Sequence, residues 1–286
     1  MMFVRKFDLI WIEKELLPGF PCWFEKLLLK SDIPYVVDYD DATFHRYDMH
    51  RHWLVRKLLG NKIKWVMKSA AMVVTGNQYL AGYAAAAGAG HVVILPTVVD
   101  LNRYPEIDFQ ERQTFTIGWI GSPDNTSYLS IINEALTEIC QKDKRIKVVL
   151  VGAGPAEFSF PFELIPWSED TEAAMVQSFD VGIMPLPDEP WTRGKCGYKL
   201  IQYMACSKPV IASRVADKLG IIQPGINGYL ADDKSEWTDV VFNLIAHPHL
   251  CRELGKKGRK KVEDYYSVQA NISKLAGLLQ KAAKPR

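Results

Sequence analysis

The sequence predicts an α/β protein made of two doubly wound, Rossmann-like domains. Three observations carry that expectation. Short β-branched runs alternate with helical periods almost from end to end, the rhythm of parallel strands covered by helices on both faces. The rhythm breaks once, in the polar connector "LPTVVDLNRYPEIDFQERQT", which holds two prolines and no clear period. The 286 residues are also enough for two domains of ordinary size.

Taken in order, the first series places buried strands at 7–12 (FDLIWI), 33–39 (IPYVVDY), 71–75 (AMVVT) and 91–95 (HVVIL). Helices are expected between them, over 23–30, 50–68 and 78–87. The Ala- and Gly-rich stretch 79–95 reads as helix, turn and strand rather than a membrane span. After the connector, strands are expected at 115–121, 146–152, 162–167, 180–186 and 208–213. Helices are expected over 127–141, 170–178, 197–205 and 234–246, with more after 248. The domains are therefore set at 1–104 and 105–266, with a last helix, 267–286, packing back on the first domain. Two such domains face a cleft, and ligands bind at the carboxyl ends of the strands.

Composition narrows the class. About half the residues are apolar and a quarter charged, and the net charge is only +2, so no global field points to nucleic acid. The five cysteines are scattered with no C-x-x-C pair, which argues against a disulfide framework or a structural zinc and fits a reducing cytoplasm. Glu13, Lys14 and Glu15 break the apolar run that a signal peptide needs.

The most informative stretch is "TRGKCGYKLIQYMACSKPVIAS", Thr192 to Ser213, a strand-end loop that feeds a helix. Gly194 and Gly197 allow close backbone approach or positive φ. A helix starting near Gly197 presents unpaired amides and the positive end of its dipole, and Arg193, Lys195 and Lys199 add full charges. That combination suits an anion, with nucleotide phosphate the natural guest. A solvated basic loop with turn glycines is the competing reading.

This stretch resembles the donor-binding motif of GT-B glycosyltransferases, in particular the retaining family 4 with its glycosyl transferases group 1 domain. "YKLIQYMACSKPVIAS" is similar to the second half of a pattern that reads E-x7-E-A-M-A-x-G-x-P-V-I-A. Other similar pieces follow in order: "FTIGWIGSPDNTSYL", "VVLVGAG" and "VADKLGIIQPGINGYLADD". The front half, with "FDLIWIEKELLPG", "PYVVDYDDATF", "VVTGNQYLAGYA" and "ILPTVVDLNRY", resembles the latter part of a family acceptor domain. It lacks the first strand and glycine-rich loop, so this domain is expected to be incomplete at its start.

The resemblance implies a GT-B fold and transfer of a hexose from a nucleoside-diphosphate sugar to a hydroxyl of a glycan or lipid-linked acceptor. It also implies retention of configuration and no metal or other cofactor. The family's two glutamates, which contact the donor sugar or phosphate and the ribose, fall on Gly194 and Gln202. Gln202 can still hydrogen-bond a ribose hydroxyl, whereas Gly194 offers only backbone. The basic side chains that grip the diphosphate on the family's first donor-domain loop have no match in "GWIGSPDNTSYL". Arg193 and Lys195 are therefore the expected catalytic cations. Gly121, Ser122, Thr126, Gly194, Gly197, Lys199 and Gln202 are expected to bind the donor.

"VVDYDD" puts Asp38, Asp40 and Asp41 at a strand end, where they and His45 are acceptor-side candidates, the acids able to orient a hydroxyl or contact His45. D-x-D is also a metal motif of GT-A glycosyltransferases and of haloacid-dehalogenase-type phosphatases, and a turn or capping cluster is a third reading. "VGAGP" lacks the third glycine of a dinucleotide fingerprint. Trp167 reads as a core or rim residue that could lie near a base, Tyr198 and Tyr203 as packing residues. The six histidines form no ligand set. From Arg46 to Lys68 there are seven basic residues, one acid and two tryptophans, a pattern suited to an anionic membrane surface, a solvated helix or a nucleic-acid patch. The expected place is the cytoplasm, with peripheral contact at its membrane face. Two other functions compete: an inactive nucleotide-sugar-binding or partner subunit, and a metal-dependent phosphotransfer enzyme built on Asp38 and Asp40.

Overall fold

The computed structural model describes residues 7–28, 33–106, 113–215 and 218–283, which group into two compact units. The first takes the chain up to Thr97, the segment Glu189–Cys196 and the residues from Asn271 onward. The second takes Val98–Asp188 and Gly197–Ala270. The first boundary thus falls at 97/98 rather than 104/105. Val99 explains the shift: its N–H donates to Tyr266 O at 3.0 Å and its carbonyl accepts from Val268 at 2.9 Å, both within the second unit.

In the first unit, four parallel strands lie in the order β1 (Ile10–Glu13), β2 (Tyr35–Tyr39), β3 (Met72–Thr75) and β4 (Val92–Ile94). Val36, Val37, Met72 and Val73 are fully buried, as a strand covered on both faces requires. Helices α1 (Cys22–Leu28), α2 (His45–Asp48), α3 (Trp53–Leu59), α4 (Lys62–Ser69) and α5 (Gln78–Ala86) fill the crossovers. The single helix expected over 50–68 is two, separated at Gly60 and Asn61. Lys62, fully buried, fixes the start of α4: its ammonium meets Glu15 at 2.5 Å and Glu25 at 3.5 Å and donates to Leu17 O. Glu25 also accepts from the N–H groups of Leu16 and Leu17, which fastens the loop after β1.

The second unit has a six-stranded parallel sheet. Its strands are β5 (Phe115–Ile120), β6 (Ile146–Val151), β7 (Glu163–Ile165), β8 (Val181–Met184), β9 (Val210–Ala212) and β10 (Gly228–Leu230), in the spatial order β10-β9-β8-β5-β6-β7. Strand order reverses between β5 and β8, the topological switch point of a doubly wound sheet. β10 was not expected; it is three residues long, and Gly228 lies so close to β9 that a Cβ there would come within 2.5 Å of Val210 O.

Where a helix was expected from 127, residues Pro123–Ile132 form a 3-10 turn, and α6 (Asn133–Lys142) begins only afterwards. The polar side chains there bond locally, Asn125 Nδ2 to Ser122 Oγ at 2.7 Å and Ser130 Oγ to Ser127 O at 2.7 Å, which favours tight turns over α-helix. α7 (Glu172–Gln177) follows β7. The short α8 (Pro190–Arg193) belongs to the first unit, and α9 (Tyr198–Ala205) returns to the second. The chain then runs through α10 (Lys218–Ile221), α11 (Lys234–Ala246) and α12 (Pro248–Tyr265) to α13 (Val268–Ala282). Leu278, Leu279 and Ala282 of α13 pack on Val36, Met72 and Val74 in the first unit. All five cysteines are free thiols.

Candidate functional site

At the carboxyl ends of β5 and β6 the backbone is kept bare. Gly121 follows β5, Gly152 follows β6 with φ 73°, and a Cβ on Gly152 would come within 2.5 Å of Gly121 O. Thr126, buried, accepts from the Gly154 N–H at 2.8 Å and so ties the two loops together; Ser122 Oγ accepts from Asn125.

The cation absent from the β5 loop is brought by α9. Lys199, in its first turn, sets its ammonium 4.3 Å from the ring centre of buried Trp119, where a Cβ on Gly121 would come within 2.6 Å of it. The entry to α9 depends on Gly197, whose φ is 72° and whose missing Cβ would meet Ile221 Cδ1 at 2.5 Å. Lys199, the first turn of α9 and the Gly121 loop therefore flank the switch point together, an arrangement suited to holding an anion.

Gln202 lies one turn further along and is buried, 3% exposed. Its Nε2 donates to Tyr104 Oη at 3.0 Å, and the Tyr104 hydroxyl donates to Glu172 Oε1. Trp167 Nε1 donates to the other oxygen of Glu172 at 2.7 Å. Burial pushes the Tyr104 phenol well above its ordinary pKa, and the Glu172 hydrogen bond adds to that. This polar chain was missed at the sequence level, since no motif links Tyr104, Glu172 and Gln202. Tyr203 is a packing residue, fully buried, its hydroxyl accepting from Ile120 N at 3.0 Å.

Arg193, Gly194 and Lys195 belong to the first unit, not to the unit that holds Lys199 and Gln202. Asn77 fastens their segment: its Oδ1 caps α5, and its Nδ2 donates to the carbonyls of Arg193 at 3.2 Å and Gly194 at 3.1 Å. The close approach at Gly194 is to protein, because a Cβ there would come within 2.5 Å of Ala42 Cβ. Its φ of −76° needs no glycine. Lys195 Nζ is 3.8 Å from Asp41, and the Arg193 side chain is exposed.

The three acids are engaged separately. Asp38 accepts from Trp11 Nε1 at 2.6 Å, Asp40 pairs with Lys14 at 3.0 Å, and Asp41 faces Lys195. Burial raises the pKa of Asp38, opposed by the Trp11 hydrogen bond, and raises that of Asp41, opposed by Lys195. His45 turns to other partners, Asp48 at 2.8 Å and the Tyr79 hydroxyl at 2.8 Å, inside a packet with Phe44 and Tyr83. The acids also do not cap α2, whose N-cap residue is Phe44, with no side-chain cap.

Among the described residues, no group of three or more His, Cys, Asp or Glu side chains is placed to hold a metal ion. No helix among them is long and apolar enough to cross a membrane.

Residues 114–247 match the family described as Glycosyl transferases group 1. A curated relative, N-acetyl-alpha-D-glucosaminyl L-malate synthase of Bacillus anthracis, is 26% identical over 140 residues, 44% of this chain. That match covers 35% of the relative, so the chain spans about a third of its length. The fold is similar to sucrose-phosphate synthase of Thermosynechococcus elongatus, with TM-score 0.75, 17% identity, and 96% of this chain and 74% of that one covered. It is equally similar to Anabaena HepE, solved with UDP and with UDP-glucose: TM-score 0.75, 14% identity, 98% of this chain and 80% of that one. The parallel sheets and the switch point give this chain a fold of the GT-B type, and its second unit, over β5 to α11, is similar to the Glycosyl transferases group 1 family.

Proposed function

We propose that the chain transfers a hexose from a nucleoside-diphosphate sugar to a hydroxyl of a glycan or lipid-linked acceptor, with retention of configuration and without a metal. The observation that carries this reading is the Lys199 ammonium beside bare Gly121 at the start of α9, within the region that matches the group 1 family. A diphosphate seated there meets backbone amides, a helix dipole and a full positive charge that strengthen as the leaving group gains charge. Gly197, Ser122 and Thr126 line the same loops. Gln202 acts behind them through Tyr104 rather than on the ribose directly.

Arg193 and Lys195, held in the first unit, keep the catalytic role drawn from the resemblance. Asp38, Asp40 and Asp41 keep their acceptor-side role. The HepE complexes make UDP-glucose the first donor to test. The acceptor is reached at an anionic membrane surface: α3 exposes Trp53, Leu54 and Leu58 beside Lys57, and no acid lies between Met49 and Lys68.

The test is release of nucleoside diphosphate from UDP-, GDP- and ADP-sugars in EDTA, with glycan and polyprenyl-phosphate sugar acceptors supplied. Turnover with one donor, unchanged by EDTA and lowered about 100-fold by Lys195→Ala with its fold intact, is the expected result. Tight nucleotide binding without transfer to any acceptor supports the inactive-subunit reading instead.

A further inference from the structure

A large aromatic side chain at a strand end normally buries its ring. Trp167, two residues past β7, leaves 51% of its surface exposed, yet its indole is not loose. Its N–H is committed to Glu172 Oε2 at 2.7 Å. Glu172 is itself 7% exposed, and a buried carboxylate is kept only where donors satisfy it. Its second oxygen is taken by the Tyr104 hydroxyl, which accepts from Gln202 at 3.0 Å. The edge of the indole is thus pinned by a buried polar chain while about half of the residue's surface stays open. Such a rotamer needs little ordering when something flat settles on it.

The place of the ring matters as much as its exposure. Trp167 Cβ would sit 3.0 Å from a Cβ on Gly152, whose other neighbour is Gly121 O, and Gly121 in turn lies against the Lys199 ammonium. Along the strand ends of this one unit the order is cation, bare backbone, indole. A nucleoside diphosphate has the matching order of diphosphate, ribose and base.

We infer that Trp167 is the platform on which the nucleobase of the donor stacks, held in position by Glu172 and Tyr104. The inference rests on the donor-site reading above and adds the base contact. Every base has a π-face, so the ring supplies affinity rather than choice among bases. The polar chain behind it explains why Gln202 is buried: its amide supports Tyr104, which supports Glu172, which aims the indole.

The test is calorimetric titration of UDP, GDP, ADP and inorganic pyrophosphate into the wild-type chain, Trp167→Ala and Trp167→Phe, each checked for an unchanged melting curve. Pyrophosphate carries the charge without the base. The expected result is an affinity for the bound nucleoside diphosphate about tenfold weaker in Trp167→Ala and largely kept in Trp167→Phe, with pyrophosphate binding the same in all three. Nucleotide affinity unchanged in Trp167→Ala overturns the platform while leaving the donor site standing. An equal loss for pyrophosphate and nucleotide also overturns it, because the ring then acts only through the fold. A wild-type chain that binds neither probe removes the donor site and the platform together.

Discussion

Lys199 is legible in the sequence as one of several cations near a helix start, but its neighbour is not. It reaches Gly121 because α9 and β5 meet at the switch point, and no local pattern records that pairing. The same holds for Gln202, whose motif position suggested the ribose and whose burial sends it to Tyr104. Gly194 was read as room for a ligand, and the structure uses that room for Ala42. Gly194→Ala should therefore lower unfolding free energy in urea by about 1–3 kcal/mol, as overpacking does; an unchanged transition would mean Ala42 moves aside without cost.

Asp38 gives a signed pH effect. Burial raises its folded pKa above the ordinary value of 3.8, so between those two values the folded state binds more protons than the unfolded one. Stability from this group therefore falls as pH rises through that window and stays low above it. Asp38→Asn keeps an acceptor for Trp11 and removes the titration. The stability of wild type relative to Asp38→Asn should decline from pH 3 to 7 in denaturant melts, and a rising difference would reverse the assignment.

At the scale of elements, strands were the readable part. β2, β3, β5 and β6 are mostly apolar, rich in β-branched residues and largely buried on both faces, a pattern that reads directly from the sequence. The misread elements are those decided by neighbours. The expected helix over 50–68 is divided because buried Lys62 needs Glu15 and Glu25 at the start of α4. The turn over Pro123–Ile132 is tightened by its own hydroxyls and amides, and β10 is too short to show a period.

The basic, acid-free character of α3 was readable, and the structure adds which residues face out. Sedimentation with vesicles containing anionic lipid should pull down the wild-type chain and leave it in solution with zwitterionic vesicles. Lys57→Gln should weaken the anionic partition about fivefold, and Leu58→Ser should weaken it further. Equal binding to both vesicle types would make this helix an ordinary solvated face.

At the scale of the molecule, crossings were expected at 104/105 and, for the returning last helix, at 266/267, and the chain crosses between its units four times, at 97/98, 188/189, 196/197 and 270/271. The crossings around Glu189–Cys196 could not be read from composition, because they depend on Asn77 and Ala42 holding a segment distant in sequence. The central claim is that the second unit holds the donor diphosphate at Lys199. It is tested most directly by titrating UDP, GDP and ADP, in EDTA, into the wild-type chain and Lys199→Met. The account predicts one nucleoside diphosphate bound by the wild type and an affinity at least tenfold weaker in Lys199→Met, both proteins melting alike. Equal affinity in the two proteins, or binding that disappears with EDTA, would contradict it.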